Sequence, residues 1–334
     1  MLDANYRVLV TGACGSIGEA LVGKLLENGN VVCAYDNNEN GLFNLDQKFR
    51  PRYNDKLRLF VGDIRDKERL IRAFEGVNLV FHCAALKHVY LSEYNPFEAM
   101  QTNISGTNNV IDAAILAKVD KVVYTSSDKA VNPTSTMGAT KLLGEKLITA
   151  ANHYTGDNKT KFSSVRFGNV LNTSGSVLQI FKDQIQRNQS LTITSENMTR
   201  FFLSISHALE LCFFAASRML GGEIFVKNMG SCSIISLAKA VSGEKLLKYN
   251  LIGYKSGEKL YEELVTDNEA ERTASEDNWY MILPDTIDLM SPDTIAKYAE
   301  TYGKPSSEIK CVRSDINLLS DLEVSEMLQS NGLL

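Results

Sequence analysis

At 334 residues, with 44% hydrophobic and 22% charged residues, the chain is long enough for a large α/β domain with an appended lobe and has an ordinary globular composition. Its net charge of −5 excludes the basic footprint of a nucleic-acid binder, so any phosphate-bearing ligand must be held by a local site. The six cysteines (Cys14, Cys33, Cys83, Cys212, Cys232 and Cys311) show no CxxC or Cys/His spacing, which excludes a disulfide frame and predicts no metal.

The apolar run over 6–10 predicts a strand that ends in Thr11-Gly12-Ala13-Cys14-Gly15-Ser16-Ile17-Gly18. Apolar residues then recur at helical spacing through Ala20, Leu21, Leu25 and Leu26, up to Asn28-Gly29. A second strand over 31–35 ends at Asp36. Strand, glycine-rich turn, helix and strand in that order open a parallel, doubly wound sheet. Strands over 57–61, 79–83, 122–125 and 162–167 continue it, with helices over 67–74, 97–116 and 137–154. After residue 170 the alternation weakens. Helices are expected over 177–188 and 206–220 and short strands over 191–194 and 223–226, and the last hundred residues mix charged helices with turns. No apolar run approaches the ~18 residues of a membrane span. The first strand begins too close to Met1 for a targeting segment, so a cytoplasmic location is expected and sequons such as Asn103-Ile104-Ser105 are chance matches.

Gly12, Gly15 and Gly18 lie between a strand and a helix, the context in which such glycines admit a pyrophosphate to a helix N-terminus. Asp36 can accept hydrogen bonds from an adenosine ribose and repels a 2′-phosphate. No arginine or lysine follows in Asn37-Asn38-Glu39-Asn40, so NAD is favoured over NADP. In Gly62-Asp63-Ile64, Asp63 either accepts from an adenine amino group or reflects a helix N-cap at or near it.

The chemistry is expected in Ser126-Ser127-Asp128-Lys129, at the carboxyl end of a strand, where open α/β sheets bind ligands. Asn132-Pro133 breaks the chain, and Thr134-Ser135-Thr136 can cap a helix that places Met137 and Lys141 on one face. An acid and an amine side by side suit proton transfer. A lysine base needs a pKa below its usual ~10.4. An ionised Asp128 opposes that, so a neutral acid beside a neutral amine is expected. The strand must end near Ser127 for both side chains to reach one substrate.

These segments stand beside several others: His82-Cys83-Ala84-Ala85-Leu86-Lys87-His88-Val89, Glu93-Tyr94-Asn95-Pro96, Asn103-Ile104-Ser105-Gly106 and Asp128-Lys129-Ala130-Val131-Asn132-Pro133. Further along come Arg166-Phe167-Gly168-Asn169-Val170-Leu171, Met198-Thr199-Arg200-Phe201-Phe202 and the run from Gly257 to Leu264. With them the chain resembles the extended short-chain dehydrogenase/reductase superfamily. Within it, the chain is similar to the sugar-nucleotide 4,6-dehydratases of the polysaccharide-biosynthesis family, which act on UDP-N-acetylglucosamine. The resemblance implies a Rossmann-type doubly wound parallel sheet with a smaller C-terminal substrate lobe. Residues 1–168 would form the NAD-binding part. Residues 169–334 would be mainly the substrate lobe, able to interleave with the first.

It further implies tightly bound NAD, held by Gly12, Gly15, Ser16, Ile17, Gly18, Asp36, Asp63, Ile64, Ala84 and Lys141. Lys129 would be the base, Asp128 the acid, and Ser127 a contact to the reacting hydroxyl region. Met137 stands where the superfamily usually has tyrosine, as in some relatives, so the sugar C4-hydroxyl proton must leave through Asp128, Ser127 or water. Lys87, Asn169, Arg200 and Lys255 would contact the nucleotide sugar. Lys255 replaces a frequent arginine, and Tyr90 and Asn172-Thr173-Ser174 also depart from the usual pattern. His82 and His88 are expected to be structural, and Asn103 to bridge backbone within the crevice. A homo-oligomer, dimer or hexamer, and a role in surface glycan or nonulosonic acid synthesis are implied as well. The alternatives are a sugar-nucleotide 4-epimerase, a GDP-linked substrate, and a non-catalytic NAD-binding protein.

Overall fold

The first six predicted strands form as short β-branched and aromatic runs bounded by turns. They are β1 (Arg7–Thr11), β2 (Val31–Asp36), β3 (Leu57–Val61), β4 (Leu79–His82), β5 (Lys121–Ser127) and β6 (Lys161–Phe167). The computed structural model describes residues 2–156, 159–173, 175–243, 248–306 and 308–334. Helices α1 (Ser16–Glu27), α2 (Glu39–Tyr53), α3 (Lys67–Ala73), α4 (Val89–Tyr94), α5 (Pro96–Met100), α6 (Gly106–Leu116) and α7 (Thr136–Ala151) connect the strands. The second half adds β7 (Asn169–Val170), β8 (Leu191–Ile193), β9 (Thr199–Leu203), β10 (Ile224–Lys227), β11 (Ser231–Ser233), β12 (Tyr249–Leu251), β13 (Glu263–Val265), β14 (Thr273–Glu276), β15 (Trp279–Ile282) and β16 (Val312–Arg313). Its helices are α8 (Val177–Gln186), α9 (Ile205–Arg218), α10 (Ile234–Ser242), α11 (Asp267–Ala270), α12 (Pro292–Tyr302) and α13 (Asp321–Ser330).

Among the described residues the main sheet has the order β14-β15-β10-β6-β5-β4-β1-β2-β3. It is parallel from β3 to β10, and β15 and β14 close it as an antiparallel edge. This is the Rossmann-type doubly wound fold. Successive residues of β1 feed opposite apolar layers, as the strand period requires. Val8 and Val10 pack with Leu21, Leu25 and Leu211 on one side, and Leu9 with Val80, Ile111 and Ile148 on the other. The chain beyond residue 168 therefore supplies β10, β14 and β15 to this sheet and α9 to one of its layers. The rest of the second half has its own core, with Leu178, Phe181, Ile193, Phe202, Leu237 and Val324.

Short elements such as α4, β7, β9 and β11 are not among the sequence expectations, and the structure departs from them in three larger ways. Helix α2 has no counterpart in the sequence expectations: Asn38, noted only within the run after Asp36 that lacks arginine and lysine, is its N-cap and accepts from Gly41 N at 2.9 Å. The single helix expected over 97–116 is instead α5, a π-helical turn Gln101–Ser105 and α6. The wider turn brings the buried Asn103 side chain inward, where Oδ1 accepts from Leu86 N at 2.8 Å and Nδ2 donates to Leu86 O at 3.0 Å and Thr140 Oγ1 at 2.9 Å. The antiparallel pair β14–β15 was hidden in a stretch read as charged helices and turns.

One buried cation ties the halves together. Arg166 on β6 reaches both Glu145 oxygens on α7 at 3.0 and 2.8 Å, both Glu269 oxygens on α11 at 3.1 and 2.9 Å, and Leu264 O at 2.7 Å. Such a network stands only because every donor is matched. Burial pulls the Glu269 carboxyl up, but Arg166 outweighs it and holds the group down at about 2.

Candidate active site

At the carboxyl end of the sheet a cavity of about 660 Å³ runs from the glycine-rich turn, past Asp36, Asp63, Ile64 and Ala84, to Ser126, Ser127, Met137 and Lys141. Gly12, Gly15, Ser16, Ile17 and Gly18 line its first end. Gly12 has φ +67°, and a Cβ there would lie 2.7 Å from Ala84 N. A Cβ on Gly18 would lie 2.1 Å from Gly12 O. Only glycine lets the turn, the start of α1 and the end of β4 pack this closely, and the close packing leaves a backbone cradle at a helix N-terminus.

Asp36 is anchored by the backbone: Oδ2 accepts from Cys14 N and Oδ1 from Asn38 N, both at 2.9 Å. Asp63 is embraced by Arg65, at 2.7 Å for the closest pair, and those hydrogen bonds hold its carboxyl below the usual range. The cap of α3 falls to Asp66, which accepts from Arg69 N at 3.0 Å. Arg65 also donates to Glu98 at 2.9 Å, so the cavity is lined there by one guanidinium between two carboxylates.

β5 ends at Ser127 and a 3-10 turn, Asp128–Ala130, follows. That bend puts consecutive side chains on one site. Ser127 Oγ donates to Asp128 Oδ1 at 2.8 Å, and Lys129 Nζ donates to Asp128 Oδ1 at 2.9 Å and Asn169 Oδ1 at 3.1 Å. Glu262 Oε1 lies 3.8 Å from the same ammonium. Burial lowers the Lys129 pKa, but Asp128 and Glu262 outweigh it and the net shift is upward. That direction favours an ammonium beside Asp128 over the expected neutral pair, with two carboxylates rather than one facing the amine.

Ser135 caps α7 by accepting from Gly138 N at 3.1 Å. The helix presents Met137 and Lys141, both buried, to the first cavity. Lys141 Nζ donates to Thr125 O at 2.9 Å and sits 4.6 Å from the centre of the Tyr124 ring. Burial brings its pKa down to about 8. Met137 places a thioether, with no transferable proton, one turn before it. His82 is buried between Thr11 Oγ1 at 2.7 Å and Thr107 Oγ1 at 3.1 Å, and burial with nearby Lys141 depresses its pKa to about 3. It is a neutral structural bridge.

A second cavity, of about 520 Å³, is lined by Lys87, Asn169, Arg200 and Lys255. It shares Lys87, His88, Lys129, Asn169, Val170 and Thr173 with the first. Lys129 thus stands where the two spaces meet. Arg200 is more constrained than the sequence suggested: its terminal nitrogens donate to Thr199 O at 2.7 Å, Lys259 O at 2.9 Å and Leu260 O at 3.2 Å. Thr173 Oγ1 donates to Val170 O at 3.0 Å, and Ser174 lies outside the described residues. Sequence reasoning missed Glu262. It sits in a segment noted for its resemblance, but nothing local signals that it meets a lysine 133 positions earlier (262 − 129).

Residues 8–284 match the model of a family described as polysaccharide biosynthesis protein. The chain belongs to the polysaccharide biosynthesis protein family. Among curated members, it is similar to a UDP-N-acetylglucosamine 4,6-dehydratase (inverting) of Campylobacter jejuni, 41% identical over 83% of each chain. It is also similar to a UDP-glucose 4-epimerase of Rickettsia bellii, 39% identical over 85% of each. Among solved structures of the same fold, Pen from Bacillus thuringiensis superposes with TM-score 0.91 at 37% identity, each chain covered in full (100%). A dTDP-glucose 4,6-dehydratase from Streptomyces venezuelae, solved with NAD, has TM-score 0.69 at 22% identity over 76% of this chain and 86% of its own. At that identity the likeness shows the fold. Among the described residues of this family member, no helix is long and apolar enough to cross a membrane.

Proposed function

We propose that the protein is a nucleotide-sugar 4,6-dehydratase that uses bound NAD and acts on UDP-N-acetylglucosamine. The observation that carries this is the Ser127–Asp128–Lys129 group at the junction of two cavities, with methionine in place of a proton-carrying residue at 137. The Campylobacter relative's activity supports the reaction. The backbone cradle at Gly12 and Gly18 and the anchored Asp36 fit a dinucleotide, and Asp36 without a neighbouring cation favours NAD over NADP. NAD supplies a hydride acceptor at sugar C4 and then a donor at C6.

The chain's own residues carry the protons. Ser127 Oγ contacts the reacting hydroxyl region. Moving one proton across the 2.9 Å Lys129–Asp128 contact turns the ion pair into a neutral amine and a carboxylic acid. Lys129 then takes the C5 proton, made acidic by the C4 ketone, and Asp128 protonates the departing C6 hydroxyl, so that water leaves. Lys141 holds the nicotinamide ribose side, and Lys87, Asn169, Arg200 and Lys255 form the nucleotide-sugar side. Asp128, filled by the proton from Lys129, cannot also take the C4-hydroxyl proton, which leaves past Ser127 to water.

The exposed Tyr90, Leu91, Tyr94, Phe97 and Met100 of α4 and α5 support a homo-oligomer closed over this apolar face. Incubation with UDP-N-acetylglucosamine followed by mass spectrometry tests the reaction: a product lighter by one water is expected. The Rickettsia relative favours a second reading, 4-epimerisation, which would give unchanged mass and a new stereoisomer and would sink the first.

A further inference from the structure

The Glu262 backbone is fixed without help from its side chain. Its N–H donates to Ser314 Oγ at 2.9 Å and its carbonyl accepts from Ser314 N at 2.9 Å. Strand β13 follows at once and pairs with β16. The carboxylate is nonetheless pushed into the floor of the second cavity, on a residue only 2% exposed. There Oε1 lies 3.8 Å from Lys129 Nζ and 3.9 Å from Arg200 Nε, and Oε2 lies 3.6 Å from Lys259 Nζ. Oε2 has no hydrogen-bond partner among the described residues.

A buried carboxylate that lacks close hydrogen bonds is expensive and contributes little to holding a fold together. Two of its neighbours are already secured elsewhere. Arg200 is bound to three carbonyls, and Lys259 Nζ donates to Val131 O at 2.6 Å. Of the three cations, Lys129 alone works at the meeting of the cavities.

We propose that Glu262 is a positioning residue for Lys129, the second arm of a carboxylate clamp whose first arm is Asp128. Asp128 holds the ammonium along its own chain turn and Glu262 holds it from the facing segment. The amine is kept between the two cavities, hydrogen-bonded to Asp128 and steadied by the Glu262 carboxylate at 3.8 Å, whose own pKa burial pushes up against the pull of Lys129. The charges facing Lys129 are Asp128 from its own turn, Glu262 from before β13 and Arg200 from β9. Those facing Glu262 are Lys129, Asp128, Arg200 and Lys259. Removing the Glu262 charge leaves Lys129 facing Asp128 and the cationic Arg200, so Lys129 must lose its proton more easily. The inference rests on the dehydration reading only for what Lys129 does next.

The test is competitive acetylation of Lys129 across pH, read by peptide mass spectrometry against the exposed Lys297, in wild type, Glu262→Gln and Glu262→Asp. The labelling midpoint should fall by about one unit in Glu262→Gln, with Glu262→Asp between it and wild type. The rising limb of the kcat profile should move down with it, and kcat at its plateau should fall roughly tenfold with KM little changed. If Glu262→Gln fails to fold, the order of Glu262→Asp and wild type decides. An unmoved midpoint overturns the proposal even if the variant is inactive. A moved midpoint in a protein that does not dehydrate UDP-N-acetylglucosamine supports the clamp and counts against the dehydration alone.

Discussion

The two ends of the crevice are built differently. At the dinucleotide end, the parts are close in sequence: Gly12, Gly15 and Gly18 share one turn, and Asp36 is pinned by Cys14 N and its own neighbour Asn38 N. At the chemical end, Lys129 meets Asn169 and Glu262, brought in from β7 and from the segment before β13. The first end is set by backbone shape and the second by buried charge. Backbone shape tolerates almost no added atom, whereas a charge cluster tolerates atoms but not changes in its balance.

The sharpest way to break this contrast is to remove the amine. Lys129→Ala is expected to lower turnover by about 10²–10⁴-fold while NAD binding, followed by fluorescence titration, stays intact. Loss of NAD together with activity would mean that the two ends are not separable. At the other end, Gly12→Ala should destabilise the fold by about 2–3 kcal/mol and weaken NAD binding. The reason is the φ of +67° and the 2.7 Å approach to Ala84 N. Unchanged melting and affinity would remove the backbone argument.

His82 sits between the two regimes. Its pKa in the fold is about 3, against an ordinary value of 6.5. The unfolded chain therefore binds a proton below about pH 6.5 that the native state refuses. The stabilisation is complete above that pH and is lost as pH falls toward 3. Urea unfolding at pH 5 should show about 2 kcal/mol less stability than at pH 7 from this group. In His82→Gln that part of the slope should vanish. The smallest effect is expected from Met137→Tyr: activity within about tenfold of wild type, with any loss due to overpacking. A large gain in rate would instead mean that the site lacks a proton carrier.

The same contrast explains what the sequence revealed. β1 to β6 were legible to within a residue or two, because a buried strand declares itself in its own few residues. The glycine turn, Asp36, the Ser135 cap and the strand end at Ser127 were legible for the same local reason. Helix α2 was not, because its buried apolar residues are only Leu42 and Leu45 and Pro51 lies inside it. The π turn was invisible because the Asn103 side chain that it turns inward meets partners at Leu86, 17 positions away, and Thr140, 37 positions away. The second carboxylate facing Lys129 was not legible because it comes from a distant segment. Local chemistry can be read locally, but a charge balance needs the fold.

The Arg166 hub carries a consequence for how the molecule is made. Its guanidinium holds Glu145, one turn beyond Lys141, and also needs Glu269 and Leu264 O. Lys129 likewise takes its second carboxylate from Glu262. On a ribosome, the first six strands and Glu145 emerge well before Glu262, Leu264 and Glu269. The cofactor-side helix must therefore wait, with a buried arginine half paired, until residues 262–269 have been synthesised. The candidate site is finished late in translation, by a stretch of chain that contributes little to the sheet itself.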